Sequence, residues 1–218
     1  MEFYIQVGAP TILHEERESE DLSDAIQDLF SEQAEDAILY WNGIPVRMGY
    51  KSDLGFLIDE LLRLLSAVLR TDQGQYLASW TSSSFFAYWN LVWHEDQMTI
   101  SAQWLAVAAR YEALLNSCNT VQVNRKLFLR EWKGLLRKVI EAISVTGIEI
   151  EEQQQVETLY EIEAAIPAFG QLYEAQEIAL SPIIQKSPTP QEQFIIPTPV
   201  ERQYADLGTK RELIRAVA

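Results

Sequence analysis

Cysteine is almost missing from this sequence, with Cys118 alone among 218 residues. No intramolecular disulfide can form, so nothing in the fold calls for an oxidising compartment. Histidine is scarce too: His14 and His94 stand far apart. A zinc site needs Cys or His ligands at close spacing, and neither histidine has such company. Both read as buried or loop residues, and Cys118 as an inert core thiol rather than a nucleophile served by His94. Glycines are scattered: Gly43, Gly49 and Gly55 lack the strand–turn–helix setting of a phosphate cradle, and Gly147 and Gly170 are isolated. No apolar run reaches the roughly 18 residues that cross a bilayer. The richest stretch, Leu54 to Leu69, is broken by Asp59, Glu60 and Arg63. Met1-Glu2-Phe3-Tyr4 shows no basic region followed by an apolar core, so no signal peptide is expected and the cytoplasm is the default location. These absences leave no metal, no cofactor, no membrane and no enzyme in the expectation.

Basic charge is the next shortage. Seventeen Lys and Arg face 32 Asp and Glu, a net charge of −15. The imbalance is local: residues 1–36 carry −10 and residues 149–177 carry −8, while residues 37–148 carry +2 and the rest +1. A nearly neutral body is thus flanked by two acidic blocks. Such blocks repel nucleic acid and anionic lipid and attract a basic protein; plain solubility is the alternative use.

What is present suits a packed core. Hydrophobic residues make up 48% and charged residues 22%, and there are six Trp, each able to bury a large area. Phe3, Ile5 and Val7 alternate as a first strand, and Leu22, Ile26, Leu29 and Phe30 recur at helical spacing over 20–33. Ala37 to Trp41 and Ile44 to Met48 flank Asn42-Gly43, a pair suited to a two-residue hairpin turn. Leu54, Leu57, Ile58, Leu61, Leu62, Leu65, Val68 and Leu69 follow a helical stripe, with Ser52 as cap and Asp59 paired to Arg63. Residues 75–104 read as a strand-rich meander. Its longest strand carries Phe86, Tyr88 and Val92, with Asn90, on a second face that is either covered or a binding surface. A helix is expected over Ala106 to Leu115, a firmer one through Phe128, Trp132, Leu135, Leu136, Val139, Ile140 and Ile143 with Gly147 as its stop, and an acidic one over Glu151 to Ala165. Pro182, Pro188, Pro190, Pro197 and Pro199 then punctuate an extended tail. The fold class is α+β: a mostly antiparallel sheet of five to six strands with amphipathic helices packed on it. One domain spans 1–180, and a Pro-rich arm spans 181–218.

Two charged features compete for a chemical role. A pair of carboxylates converging in a cleft would serve glycosidase chemistry, but the acids sit in mutually repelling exposed blocks. Arg130, Lys133 and Arg137 share a helical face, with Arg125, Lys126 and Lys138 nearby. That stripe reads as a solvated face that pairs with the Glu149–Glu177 block, rather than as a phosphate site.

The order of parts carries a resemblance. The N-terminal strand, the Trp41-Asn42-Gly43-Ile44-Pro45-Val46 hairpin, the Asp53–Leu69 helix, the aromatic meander and the helix from Arg125-Lys126-Leu127-Phe128 resemble the small acidic immunity proteins of bacterial polymorphic toxin systems. The likeness covers residues 1–147, and the Pro-rich tail departs from it. It implies a non-catalytic protein that sits on a cognate toxin, a basic domain, and blocks its active site. The contact residues would be Glu15, Glu16, Glu18, Glu20, Asp21 and Asp24. The alternative is an adaptor or assembly subunit of a larger bacterial or viral complex.

Overall fold

The computed structural model describes residues 2–14, 18–33 and 35–167. The arm expected over 181–218 lies outside these residues, as do Glu15 and Glu16. In chain order the elements are β1 (Phe3–Gln6), β2 (Glu18–Ser19), α1 (Leu22–Leu29), β3 (Ala37–Trp41), β4 (Ile44–Met48) and a π-helical turn (Tyr50–Leu54). Then come α2 (Gly55–Arg70), β5 (Gln73–Thr81), β6 (Phe85–His94), β7 (Gln97–Val107), α3 (Glu112–Ser117), β8 (Thr120–Asn124), α4 (Arg125–Thr146), β9 (Glu149–Ile150) and α5 (Gln153–Ala165). The class is α+β with antiparallel pairing, as strand alternation predicts. The strands are shared between a three-stranded sheet, β1-β3-β4, and a four-stranded sheet, β5-β6-β7-β8; β2 and β9 form a short parallel pair.

The hairpin forms where the turn chemistry places it. Asn42 and Gly43 take positive φ values of 50° and 80°, as a two-residue turn between twisted strands requires. Asn42 also braces the neighbouring loop, because its Nδ2 donates to the carbonyls of Cys118 (2.8 Å) and Thr120 (3.0 Å). Gly147 ends α4 in the left-handed region at φ 66° and donates its N–H to Ile143 O. Asn124 opens the same helix by accepting from the N–H groups of Lys126 and Leu127.

Aromatic residues from both sheets and α4 meet in one core. Trp89, on β6, lies at its middle, with ring centroids 5.1 Å from Trp80, 5.2 Å from Trp41, 5.8 Å from Trp104 and 6.1 Å from Phe3. Trp132 of α4 stacks on Trp80 at 5.8 Å. Edge-to-face pairs at such distances add to what area burial alone contributes. The indole N–H of Trp41 reaches Cys118 O at 2.9 Å, and that of Trp93 reaches Thr71 O at 3.1 Å. Those of Trp80, Trp89, Trp104 and Trp132 are buried without a hydrogen-bond partner among the described residues.

Some local readings change. The α2 helix begins at Gly55 without a side-chain cap, and Ser52 lies inside the π-helical turn. The cause is Asp53, whose buried carboxylate accepts from Gly49 N–H (2.7 Å), Ser82 Oγ (2.5 Å) and Ser84 Oγ (2.6 Å). These bonds tie the helix entry to the β5–β6 turn. Arg63 bonds Glu60 at 3.0 Å, one residue away from the expected Asp59. The expected helix over 106–115 shifts to Glu112–Ser117, because β7 continues through Val107 alongside β6. Strands β2 and β9 are too short to carry a pattern, whereas β8, with Val121 and Val123 alternating with Thr120, Gln122 and Asn124, does carry one and is absent from the expected set.

Trp89→Ala removes the ring that both sheets and α4 share; urea unfolding should show a loss of about 3–5 kcal/mol. Asp53→Ala strands the Ser84 hydroxyl and the Gly49 amide and leaves Ser82 only Phe85 O as acceptor. It should cost about 2–4 kcal/mol by the same measurement, against about 1 kcal/mol for Ser84→Ala.

Candidate protein-binding surface

Residues 18–22 are held by partners more than a hundred positions away. Leu22 and Ile26 bury their side chains and seat α1 on the body, which brings β2 alongside β9. Glu18 then lies opposite Glu149, and Ser19 opposite Ile150. Glu151 N–H donates to Ser19 O and Glu152 N–H to Glu20 O, each at 3.0 Å; Leu22 N–H donates to Gln155 Oε1, also at 3.0 Å. The two acidic blocks are thereby fused into one ledge on which Glu18, Glu20, Glu149, Glu151 and Glu152 are all exposed.

Beside the ledge runs a groove of about 620 Å³. Ile143, Ile148 and Val156 supply apolar lining, and Glu18, Glu149 and Glu151 stand along it. A side chain that is apolar at its tip and flanked by Lys or Arg matches both features. Of the expected contact residues, Glu18 joins this groove, Glu20 is exposed on the ledge and Asp24 is exposed on α1. Asp21 instead holds the local backbone, since its Oδ1 accepts from Asp24 N–H at 2.8 Å and caps α1. Glu15 and Glu16 are outside the described residues.

The basic stripe on α4 is occupied from within. Lys133 is buried and its Nζ lies 2.6 Å from Glu163 O and 3.1 Å from Glu163 Oε1, with a further bond to Ile166 O. It satisfies carbonyls at the C-terminal end of α5, where a cation is favoured. Arg137 Nε meets Glu163 Oε1 at 2.7 Å. Lys126 pairs with Asp96, Lys138 with Glu141 and Arg125 with Asp72. Burial alone would push the Glu163 carboxyl up, but hydrogen bonds and charge from Arg137 and Lys133 outweigh it and hold it below the ordinary range.

A second hollow, about 720 Å³, lies between α2 and α5. Asp59 and Glu152 balance Arg63 and Arg70 in its walls, so it selects no simple charge. Burial raises the Asp59 carboxyl, with Arg63 opposing. His14 and His94 are exposed, and Cys118 is half-buried at the end of α3, where its Sγ contacts Leu114 O at 3.4 Å. Among the described residues no three His, Cys, Asp or Glu are arranged to hold a metal, and no helix is long and apolar enough to cross a membrane.

A further hollow of about 690 Å³ is lined by Ile38, Ile44, Pro45, Tyr111 and Leu114, and the outward face of the four-stranded sheet is another open surface. Phe86, Tyr88, Asn90 and Val92 line it on β6, next to Gln75 and Leu77 on β5. Tyr88, Val92 and Leu77 are exposed. No protein-family model matches the chain, and comparisons with curated proteins and with solved structures return no match. What the molecule defines is an α+β protein with a carboxylate-lined groove and an open sheet face.

The Glu163 ion pairs have a pH signature. A carboxyl held below its ordinary value of 4.5 stabilises the fold above that value, and the contribution is lost as pH falls through the depressed one. Thermal melts of Glu163→Gln should therefore lie below wild type at pH 7, and the gap should close as the buffer is taken into the acid range.

Proposed function

We propose that this chain is a non-catalytic protein-binding protein that captures a basic segment of a partner protein in the groove beside β2 and β9. The observation that supports this reading is the meeting of two sequence-distant acidic blocks along an apolar-lined hollow. An apolar anchor seated on Ile143, Ile148 and Val156 would slow dissociation, and the surrounding carboxylates would steer a cationic partner and speed encounter. A polynucleotide would be repelled by the same charges.

Within this class we read the chain as an immunity protein acting in the bacterial cytoplasm. It would sit on a basic toxin domain and close its active site, the carboxylate ledge standing in for the polyanion that such a domain binds. An adaptor or assembly subunit is the second reading, favoured by the open sheet face, which supplies a second place to dock.

Glu18→Lys, Glu149→Lys and Glu151→Lys together test the groove. Titration against the toxin domain encoded beside the gene should show binding weakened about 100-fold, from three carboxylate contacts of about 1 kcal/mol each. Wild-type affinity should fall as salt is raised. Unaltered affinity in the triple variant would sink the groove as the site, and the absence of any toxin binding by the wild type would sink the immunity reading.

A further inference from the structure

The strands of the larger sheet have nine, ten, eleven and five residues, and none of these is Asp, Glu, Lys or Arg. In a chain with 22% charged residues and a net charge of −15, so large an uncharged tract is a surface property to be explained. The inner face needs none, because it is core: Trp80, Ala87, Trp89, Leu91, Ile100 and Trp104 are buried. The outer face has no such reason. There Leu77 is 67% exposed, Val92 47%, Leu105 41% and Tyr88 38%. Four of the eight large apolar residues exposed among the described residues thus share one side of one sheet.

The polar residues between them are already partly satisfied. Gln75 Nε2 donates to Asn90 Oδ1 at 2.8 Å, and Ser101 and Thr120 hydroxyls lie 3.4 Å apart. Covering such a face strands fewer donors and acceptors than covering a bare polar one. At one end of the sheet Asp72 pairs with Arg125 and Asp96 with Lys126, with Glu95 exposed in the β6–β7 turn beside them.

We propose that this face docks a second copy of the chain, sheet against sheet about a two-fold axis. Charge decides the occupant. An uncharged face gives a cationic or anionic partner nothing to select, whereas two copies of a strongly acidic chain can approach closely only where each lacks carboxylates. The ledge of Glu18, Glu20, Glu149, Glu151 and Glu152 belongs to the layer of α1 and α5, which pack on α2 and α4. Stacking through the sheets holds the two ledges apart. Area is sufficient as well. With a rise of about 3.3 Å and a strand spacing of about 4.8 Å, the sheet presents roughly 550 Å² per copy, so the pair clears the roughly 1,000 Å² expected of a specific interface. An isologous contact of this kind closes on itself.

Sedimentation velocity of the full chain over about 1–100 μM, a range suited to an interface of modest area, tests the pairing. Wild type should dimerise, and added salt should leave the dimer intact or tighten it by screening the net repulsion. Leu77→Lys and Val92→Lys each place a charge on the face at an exposed position. Each should give monomers over this range and match the wild-type thermal melt at dilutions where the wild type is itself monomeric, whereas Leu114→Lys, exposed on α3, should still dimerise. A wild-type chain that stays monomeric over this range overturns the proposal. Dimers that persist in both sheet variants overturn it too, by placing the contact elsewhere.

Discussion

Everything in this molecule hangs on the burial of Trp89. The ring stands on the middle strand pair of the larger sheet, yet it touches Trp41 of the smaller sheet and Phe3 of its edge strand, and it lies 6.4 Å from Trp132 of α4. Two sheets and the longest helix are therefore fixed relative to one another by a single packed cluster. Rings of this size carry much of the burial energy available to a domain, and close packing leaves few alternative arrangements. The surface features inherit their positions from that constraint: α4 bears Ile143 of the groove at one end and the cations that clamp α5 in its middle.

Charge is then arranged around the core by pairing across long sequence distances. Lys133 and Arg137 of α4 pair with Glu163, while Glu18, Glu20, Glu149, Glu151 and Glu152 turn outward together. The result is a protein with distinct surfaces of opposite character, one strongly anionic and one without formal charge. The proposed roles follow that division: the first suits a foreign cationic segment, the second suits the chain itself.

The sequence makes much of this legible, for identifiable reasons. The α2 and α4 stripes, the Asn42-Gly43 turn, the alternation of β6 and β7 and the stop at Gly147 each rest on a pattern that repeats over several residues or on one residue with special backbone freedom. Charge complementarity makes the pairing of Lys133 and Arg137 with the acidic block legible, but not the burial of Lys133. The stripe's reading as a solvated face misses that burial because the partners of Lys133 are backbone carbonyls at the end of α5. Hidden from view were β2 and β9, because two-residue strands have no period, and so the convergence of Glu18 with Glu149 and Glu151 left no local trace. The start of α2 was also obscured, since Ser52 looks like a cap only if Asp53 has no stronger partners. Ser82 and Ser84, thirty residues on, supply them.

The short parallel pair of β2 with β9 makes the anionic ledge a property of the finished fold. Neither block alone assembles it, and a chain opened between residues 20 and 149 scatters its carboxylates. Like charges set side by side also push against the pairing that gathers them. On the proposed reading, a cationic segment bound there would relieve that repulsion, so occupation and folding would be thermodynamically linked. The bound protein would resist unfolding by an amount that grows with the logarithm of ligand concentration over its dissociation constant.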